Sequence, residues 1–142
     1  MATITYSTKS DSRTLSGVSA ANKVSAADMN EIKTSVNALY EAPFNAQTGT
    51  TYTLVLTDAS KIVTMSNASA NTLTVPPNSS VAFPLGTQIL VIQKGAGTTT
   101  IAEGSGVTIN SEGSALDLNA QYAAATLIKE GTDTWYLVGS IA

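Results

Sequence analysis

The sequence predicts a mainly β protein, in which an N-terminal arm and one short α-helix precede an antiparallel β-sandwich or barrel of about eight to nine strands. Three observations lead to this fold class. Only 12% of the 142 residues are charged, about half the usual share, and Ser, Thr, Asn and Ala are abundant instead. From residue 50 onward the pattern has the period of strands, with turn residues about every ten positions. No helical pattern interrupts these segments, which argues against parallel crossover units.

Residues 1–23 form the predicted arm. They are rich in Ser, Thr, Ala and Asn, with a short alternation at Ile4 and Tyr6. This composition is typical of a disordered segment, or of one that orders on a partner by adding a strand to the edge of its sheet. The chain contains neither a signal-peptide pattern nor a run of about 20 apolar residues. We therefore expect synthesis in the cytoplasm and no membrane insertion.

The next segment is the one convincing α-helix. Ser25 is a favourable N-cap, Asp28 completes a variant of the capping box, and Pro43 is expected to end the helix. Four apolar residues share one narrow stripe and are the candidate oligomerisation residues: Met29, Ile32, Val36 and Leu39. A helix of about four turns is unstable alone in water, so the stripe must pack against its own domain or against copies of itself around a symmetry axis. Both alternatives remain open at this point.

The strand-like segments follow, separated by short turns rich in Gly, Pro, Asn and Asp. The predicted strands are residues 51–57, 61–66, 71–75, 87–93, 98–103, 106–110, 114–118, 121–130 and 134–139. Between the third and the fourth, Pro76 and Pro77 stop one strand and Pro84 and Gly86 set a second bend. The run Ile89–Ile92 is expected to be a central strand with both faces covered. We divide the chain into residues 1–45, which attach and align the protein, and residues 46–142, the β domain.

The residue types exclude several kinds of chemistry. The chain has no cysteine and no histidine, so disulfides, thiolate metal sites and Ser-His or Cys-His nucleophile pairs are impossible. The net charge is −3 and the basic residues are scattered, which argues against a nucleic-acid groove. The acidic residues from residue 50 onward fall mostly at turns or strand ends and are Asp58, Glu103, Glu112, Asp117, Glu130 and Asp133. We predict that the protein is not an enzyme and has no catalytic residues, cofactor or metal.

Aromatic residues leave a sugar-binding site as a second interpretation. Trp135 and Tyr136 are neighbours in a predicted strand, so one should be in the core and the other should point outward. Tyr136 and Tyr122 are the candidate ligand-contact residues, because an exposed ring beside polar groups can stack on a sugar. The alternative is an ordinary core residue with ordinary surface tyrosines.

Several stretches of the β region carry a family resemblance. They are TYTLVLTDASKIVTMSNASANTLTVPPNSSVAFPLGTQILVIQKGAGTTTIA, GVTINSEG and QYAAATLIKEGTDTWYLVG, and the ordered series PPNSS, FPLGT, GAGTTTI and GTDTWYLVG is their most specific part. From about residue 50 to residue 141 the chain resembles a β domain found in tailed-bacteriophage virion proteins, in fibres, spikes and head decorations. The helical stretch VSAADMNEIKTSVNALYE is similar to segments that precede such domains.

The resemblance implies a non-enzymatic structural protein that is commonly a homotrimer. Its partners would be its own copies and other virion proteins of the capsid or tail, contacted through the N-terminal arm. It would be made in the host cytoplasm and located in the virion. The short chain fits a compact spike or head decoration better than a complete tail fibre. The alternative function is a receptor- or carbohydrate-binding adhesin of the tail-fibre type, with a host surface glycan as ligand.

Overall fold

The computed structural model describes residues 26–38 and 42–142. The described residues belong to two separate units, with residues 26–38 in the first and Pro43–Ala142 forming the second. The predicted arm, the predicted N-cap Ser25 and the last stripe residue Leu39 lie outside the described residues.

The described part of the first unit is one α-helix, α1, which spans Ala26–Ala38. Asp28 lies in its first turn, where the positive end of the helix dipole stabilises a carboxylate. The Thr34 hydroxyl donates a hydrogen bond to the Asn30 carbonyl oxygen at 2.9 Å, one turn earlier. The predicted helix is therefore present over Ala26–Ala38.

The second unit consists of strands and two short 3-10 turns. The strands are β1 (Phe44–Gln47), β2 (Thr51–Thr53), β3 (Ile62–Met65), β4 (Asn71–Val75), β5 (Gln88–Gln93), β6 (Thr99–Glu103), β7 (Thr108–Ser111), β8 (Ala124–Lys129) and β9 (Thr134–Gly139). The 3-10 turns are Leu56–Asp58 and Glu112–Ser114. The prediction of a mainly β protein with one short helix and about nine strands is confirmed for the described residues.

The strands form a six-stranded sheet in the order β1-β3-β5-β8-β9-β7 and a three-stranded sheet in the order β2-β4-β6. The first six strands alternate between the two sheets, so the chain winds as a stack of coils, each contributing one strand to each sheet. Neighbouring coils pair in parallel, as do β7 and β9. The antiparallel pairs among the described strands are β5 with β8 and β8 with β9.

The predicted antiparallel pairing is therefore wrong for most of the domain. Parallel neighbours need a long connection, which is usually a helix. Here the connection between two parallel strands is a strand of the other sheet with a turn on either side, as in repeat proteins whose coils stack on one another. The absence of helical patterns after residue 50 therefore did not exclude parallel strands.

Several strand boundaries also differ from the prediction. The segment 51–57 is a strand only to Thr53, because the chain turns into the core at Leu54 and continues as a 3-10 turn. The segment 114–118 has only isolated bridges, from Asp117 to Thr100 and from Leu118 to Ile141. Strand β1 was not predicted, because FNAQ is short and half polar.

Strand β5 is central in the six-stranded sheet, between β3 and β8. Ile89 and Val91 are fully buried, whereas Leu90 and Ile92 are only partly buried. Within a single chain, the prediction that both faces of this strand are covered therefore holds for the core face and only in part for the second face. Strand β5 has one face in the core and one face turned outward.

The core lies between inward-pointing residues of both sheets. Its largest fully buried side chain is Trp135, which meets Phe83 edge to face with ring centroids 5.5 Å apart. Phe83 comes from the loop between β4 and β5, so this aromatic pair fixes the loop to the core. Burying one side chain of this size stabilises the fold by about 1.5–3 kcal/mol.

The turns that join the two sheets are stacked as closely as the strands. The Asn67 side chain donates a hydrogen bond to the Thr48 carbonyl oxygen at 2.7 Å, and the Gly97 amide donates to the Asn67 carbonyl oxygen at 3.0 Å. One asparagine thus connects the turn of its own coil to the turns of the coils on either side. The stacking leaves no room for a side chain at Gly95 or Gly97.

Candidate functional site

The apolar stripe of α1 is exposed. Met29 is 47% exposed and Ile32 is 53% exposed, and Val36 is partly buried. The spacing of these residues places them on one side of the helix. The described part of the stripe is therefore an apolar surface that could meet a partner, and its assignment to oligomerisation stays a prediction.

Trp135 and Tyr136 point to opposite faces of β9, as predicted. Trp135 is buried, and Tyr136 is 39% exposed. A hydrogen bond to the Glu130 carboxylate raises the pKa of the Tyr136 hydroxyl above its usual value. Tyr136 is thus an outward aromatic ring beside a carboxylate.

Tyr122, the other candidate ligand-contact residue, is far more exposed. It lies in the turn before β8 with a positive φ of 69°, and its amide donates a hydrogen bond to the Gln93 carbonyl oxygen at 2.6 Å. Tyr136 pairs with Ile128 near the opposite end of β8. At about 3.3 Å per residue, the two tyrosines lie roughly 20 Å apart along the strand direction. The structure does not bring them into one site.

Most of the acidic residues of the β unit accept hydrogen bonds within the fold. The Glu103 carboxylate accepts a hydrogen bond from the backbone N–H of Ile109 at 2.6 Å, and the Asp133 carboxylate accepts one from the backbone N–H of Asn78 at 2.7 Å. Asp117 accepts the Thr100 hydroxyl at 2.5 Å. Within residues 26–38 and 42–142, no group of three or more acidic side chains is placed to hold a metal ion. In the same ranges, no helix combines the length and the hydrophobicity that a membrane span needs.

The most deeply buried carboxylate belongs to Asp58, which has no exposed surface. It accepts hydrogen bonds from the Asn45 side chain at 2.7 Å, the Tyr52 hydroxyl at 2.7 Å and the Val55 amide at 2.9 Å. Gln47 in turn donates to the Asn45 side-chain oxygen at 2.6 Å. This network connects β1, β2 and the following 3-10 turn, so its role is to hold the first coil together.

Because of this network, the free energy of unfolding should depend on pH in the alkaline range. Burial, followed by the hydrogen bond to Asp58, raises the pKa of Tyr52 from 10.0 to about 12. The folded protein holds this proton more tightly than the unfolded chain, so the contribution is complete below pH 10 and is lost as the pH rises toward 12. We expect the free energy of unfolding, measured with denaturant from about pH 9 to pH 12, to fall more steeply for the unaltered chain than for Tyr52→Phe. Equal slopes would contradict this assignment.

One further surface was not identified from the sequence. Phe44, Ile62, Leu90, Thr126 and Val138 form one row across five strands of the six-stranded sheet, because each is in register with the next. Each points away from the core, since its neighbours along the strand point inward. We call the surface formed by the outward-pointing residues of the six strands the outer face. None of these residues is Asp, Glu, Lys or Arg.

The outward surface of the three-stranded sheet is different in chemistry. Thr51, Thr72 and Thr100 are in register in one row, and Thr53 and Thr74 begin the next. This surface presents hydroxyl groups, whereas the outer face is largely apolar. Both surfaces are formed by residues that strand pairing brings side by side. No local sequence signal reveals which strands pair.

Comparison of the chain with protein-family models, with curated proteins and with solved structures gives no match.

Proposed function

We propose that this protein is a non-enzymatic structural component of a bacteriophage virion, a short fibre, spike or head-decoration protein. Its N-terminal segment anchors it to other virion proteins of the capsid or tail, and its β domain is exposed. The proposal takes the protein to be a homotrimer. The resemblance of the strand and turn motifs to phage virion domains supports the class of protein.

The observation that carries the proposal is the use of the polar side chains within the β unit. Asp58, Glu103, Asp117 and Asp133 each accept a hydrogen bond that holds the fold together. A hydrolase that works through carboxylates needs two of them facing a substrate across a cleft. Here these carboxylates stabilise coils and turns, as expected of a domain selected for durability.

The exposed stripe of α1 supports self-association. Met29 and Ile32 would be covered if α1 packed against the same helix of other copies, since apolar residues at these spacings form the seam of helical bundles. Such packing would also stabilise a helix of this length, which is marginal alone. Three copies would then be joined through their helices.

Labelled particles test the assignment to the virion. In a phage that carries the gene, the chain would be given a C-terminal peptide tag, and purified particles would be examined by electron microscopy with gold-labelled antibody. We expect gold at regular positions on the particle and none on particles with the untagged chain. Absence of label on tagged particles, with the tagged chain present in the infected cells, would overturn the proposal.

An adhesin is the second candidate, and the exposure of Tyr136 beside Glu130 favours it. An aromatic ring with a neighbouring carboxylate is a common way to hold a sugar. The same particles carrying Tyr136→Ala discriminate the two functions. Tyr136 also lies on the outward side of the six-stranded sheet, so the variant must associate and assemble into particles as the unaltered chain does. Adsorption to host cells should then fall if Tyr136 contacts a host surface glycan, and it should be unchanged if the domain is purely structural.

A further inference from the structure

The outer face is an uncharged sheet surface on which apolar and aromatic side chains outnumber polar ones. Phe44 is 68% exposed and Val138 is 59% exposed, and they lie at the two ends of one row. Between them, Ile62 and Leu90 are partly buried. Contiguous apolar surface of this kind marks an interaction site in soluble proteins. We propose that the outer face is the interface between copies of this chain.

The outer face is large enough to form part of such a contact. Six strands about 4.8 Å apart, each about five residues long, outline roughly 450 Å². Around the threefold axis of the proposed homotrimer each face would be shared between two neighbours, so one pair of copies would bury about 450 Å² in total through this face, less than the roughly 1,000 Å² that a specific interface needs. The outer face therefore supplies part of each interface, and the stripe of α1 is a second apolar surface on the same chain.

The chemistry of the face favours a second copy over a charged partner. The outward-pointing residues include no ionised side chain, so two outer faces meet without like-charge repulsion and without burying an unpaired ion. A nucleic acid or an anionic membrane would require basic residues on this face, and it has none. The polar groups present are hydroxyls and amides, such as Thr126 and Gln88, which both donate and accept hydrogen bonds. Identical surfaces can therefore satisfy each other.

Charge does occur at the margin. Glu130 follows directly after β8, next to the last inward-pointing residue of that strand. This arrangement resembles the usual anatomy of an interface, with an apolar centre and a polar rim. The inference deepens the proposed function, because it rests on the proposed self-association and names the surface that carries it.

A charge placed on the face tests the inference. We expect Val138→Asp to weaken self-association of the full chain at least tenfold, measured by sedimentation over a range of concentrations, because copies would bring like charges together. The matched control is Thr53→Asp, the same new side chain at an exposed strand position of the other sheet. This control should associate as the unaltered chain does.

A second measurement avoids the introduced charge. The chain lacks cysteine, so single substitutions Val138→Cys and Thr53→Cys each create one reactive thiol. At a concentration where the chain is associated, a water-soluble maleimide should label Val138→Cys at least tenfold more slowly than Thr53→Cys. Dilution to single chains should remove the difference, since both positions are exposed in one subunit.

The outcomes separate the inference from the proposed function. An associated chain in which neither Val138 variant differs from its Thr53 control overturns the inference and leaves the proposed homotrimer standing. A monomeric unaltered chain overturns the inference and the homotrimer together, and assigns the face to another segment or another protein. In that case the labelled particles still decide whether the protein belongs to the virion.

Discussion

Replacing Gly97 by alanine should destabilise the β domain by at least about 3 kcal/mol, because the coil turns are stacked with no room for a methyl group. A Cβ at this position would lie 2.0 Å from the Ser69 carbonyl oxygen and 2.2 Å from the Ser69 carbonyl carbon. Both are backbone atoms, so relief requires the turn of the neighbouring coil to move. Thermal unfolding should show a midpoint lowered by roughly 12 °C or more, as expected for a domain of about 100 residues.

Gly49→Ala is the matched control for this prediction. Gly49 also lies in a turn, but its added Cβ would be 3.5 Å from the nearest atom, the Thr51 carbonyl oxygen, which is an ordinary contact. We expect Gly49→Ala to change the free energy of unfolding by less than about 0.5 kcal/mol. If Gly97→Ala were as stable as Gly49→Ala, the close stacking of the turns would be wrong.

The strands themselves were predictable because their signal is local. Strands β4 and β9 have the predicted bounds, because clear turn residues flank their alternation of apolar and polar residues. Pro76 follows β4, and Gly131 lies in the turn before β9. The opposite directions of Trp135 and Tyr136 follow from the same alternation. The direction of strand pairing could not be predicted in this way, because it depends on which strands become neighbours in the sheet. A coil that passes through the other sheet has no local signature that distinguishes it from a hairpin.

The same limitation explains why the outer face was missed. The residues QILVIQ of β5 are apolar at nearly every central position, which indicated a strand covered on both sides. Phe44 belongs to a strand that was not predicted, and Val138 is almost a hundred residues away along the chain. Only the strand order aligns them in one row. The helix stripe was accessible to sequence reasoning because a helix is a local structure whose faces follow from its period.

The low charge of the chain has a structural counterpart in the β unit. Four of its carboxylates and the buried Lys129 ammonium make hydrogen bonds within the fold, and its broad sheet surfaces are left neutral. A charged sheet would repel an identical copy, whereas a neutral one does not. The composition, the occupied carboxylates and the uncharged outer face are thus consistent with a protein built to associate with itself.

The second large effect is expected at Lys129, whose side chain is almost fully buried. Its ammonium donates hydrogen bonds to the Asn78 side-chain oxygen at 2.6 Å and to the Phe83 carbonyl oxygen at 2.9 Å, and it lies 5.7 Å from the centre of the Trp135 ring. The backbone N–H of Asn78 also donates a hydrogen bond to the Asp133 carboxylate. Lys129→Ala would leave two acceptors without their donor and open a cavity, so we expect a loss of about 3–5 kcal/mol in the free energy of unfolding.

Lys129→Met separates the ammonium from the packing of its carbon chain. Methionine fills a similar volume, so the cavity disappears and the loss should be smaller, about 1–3 kcal/mol. Amide hydrogen exchange should nevertheless accelerate in the loop from Asn78 to Gly86 in both variants, because the donor that fixes the loop is gone. Lys94→Ala, a change at an exposed lysine, should leave stability and exchange unaltered. If Lys129→Met kept the stability and the slow loop exchange of the unaltered chain, the anchoring would come from the aromatic pair of Phe83 and Trp135 alone.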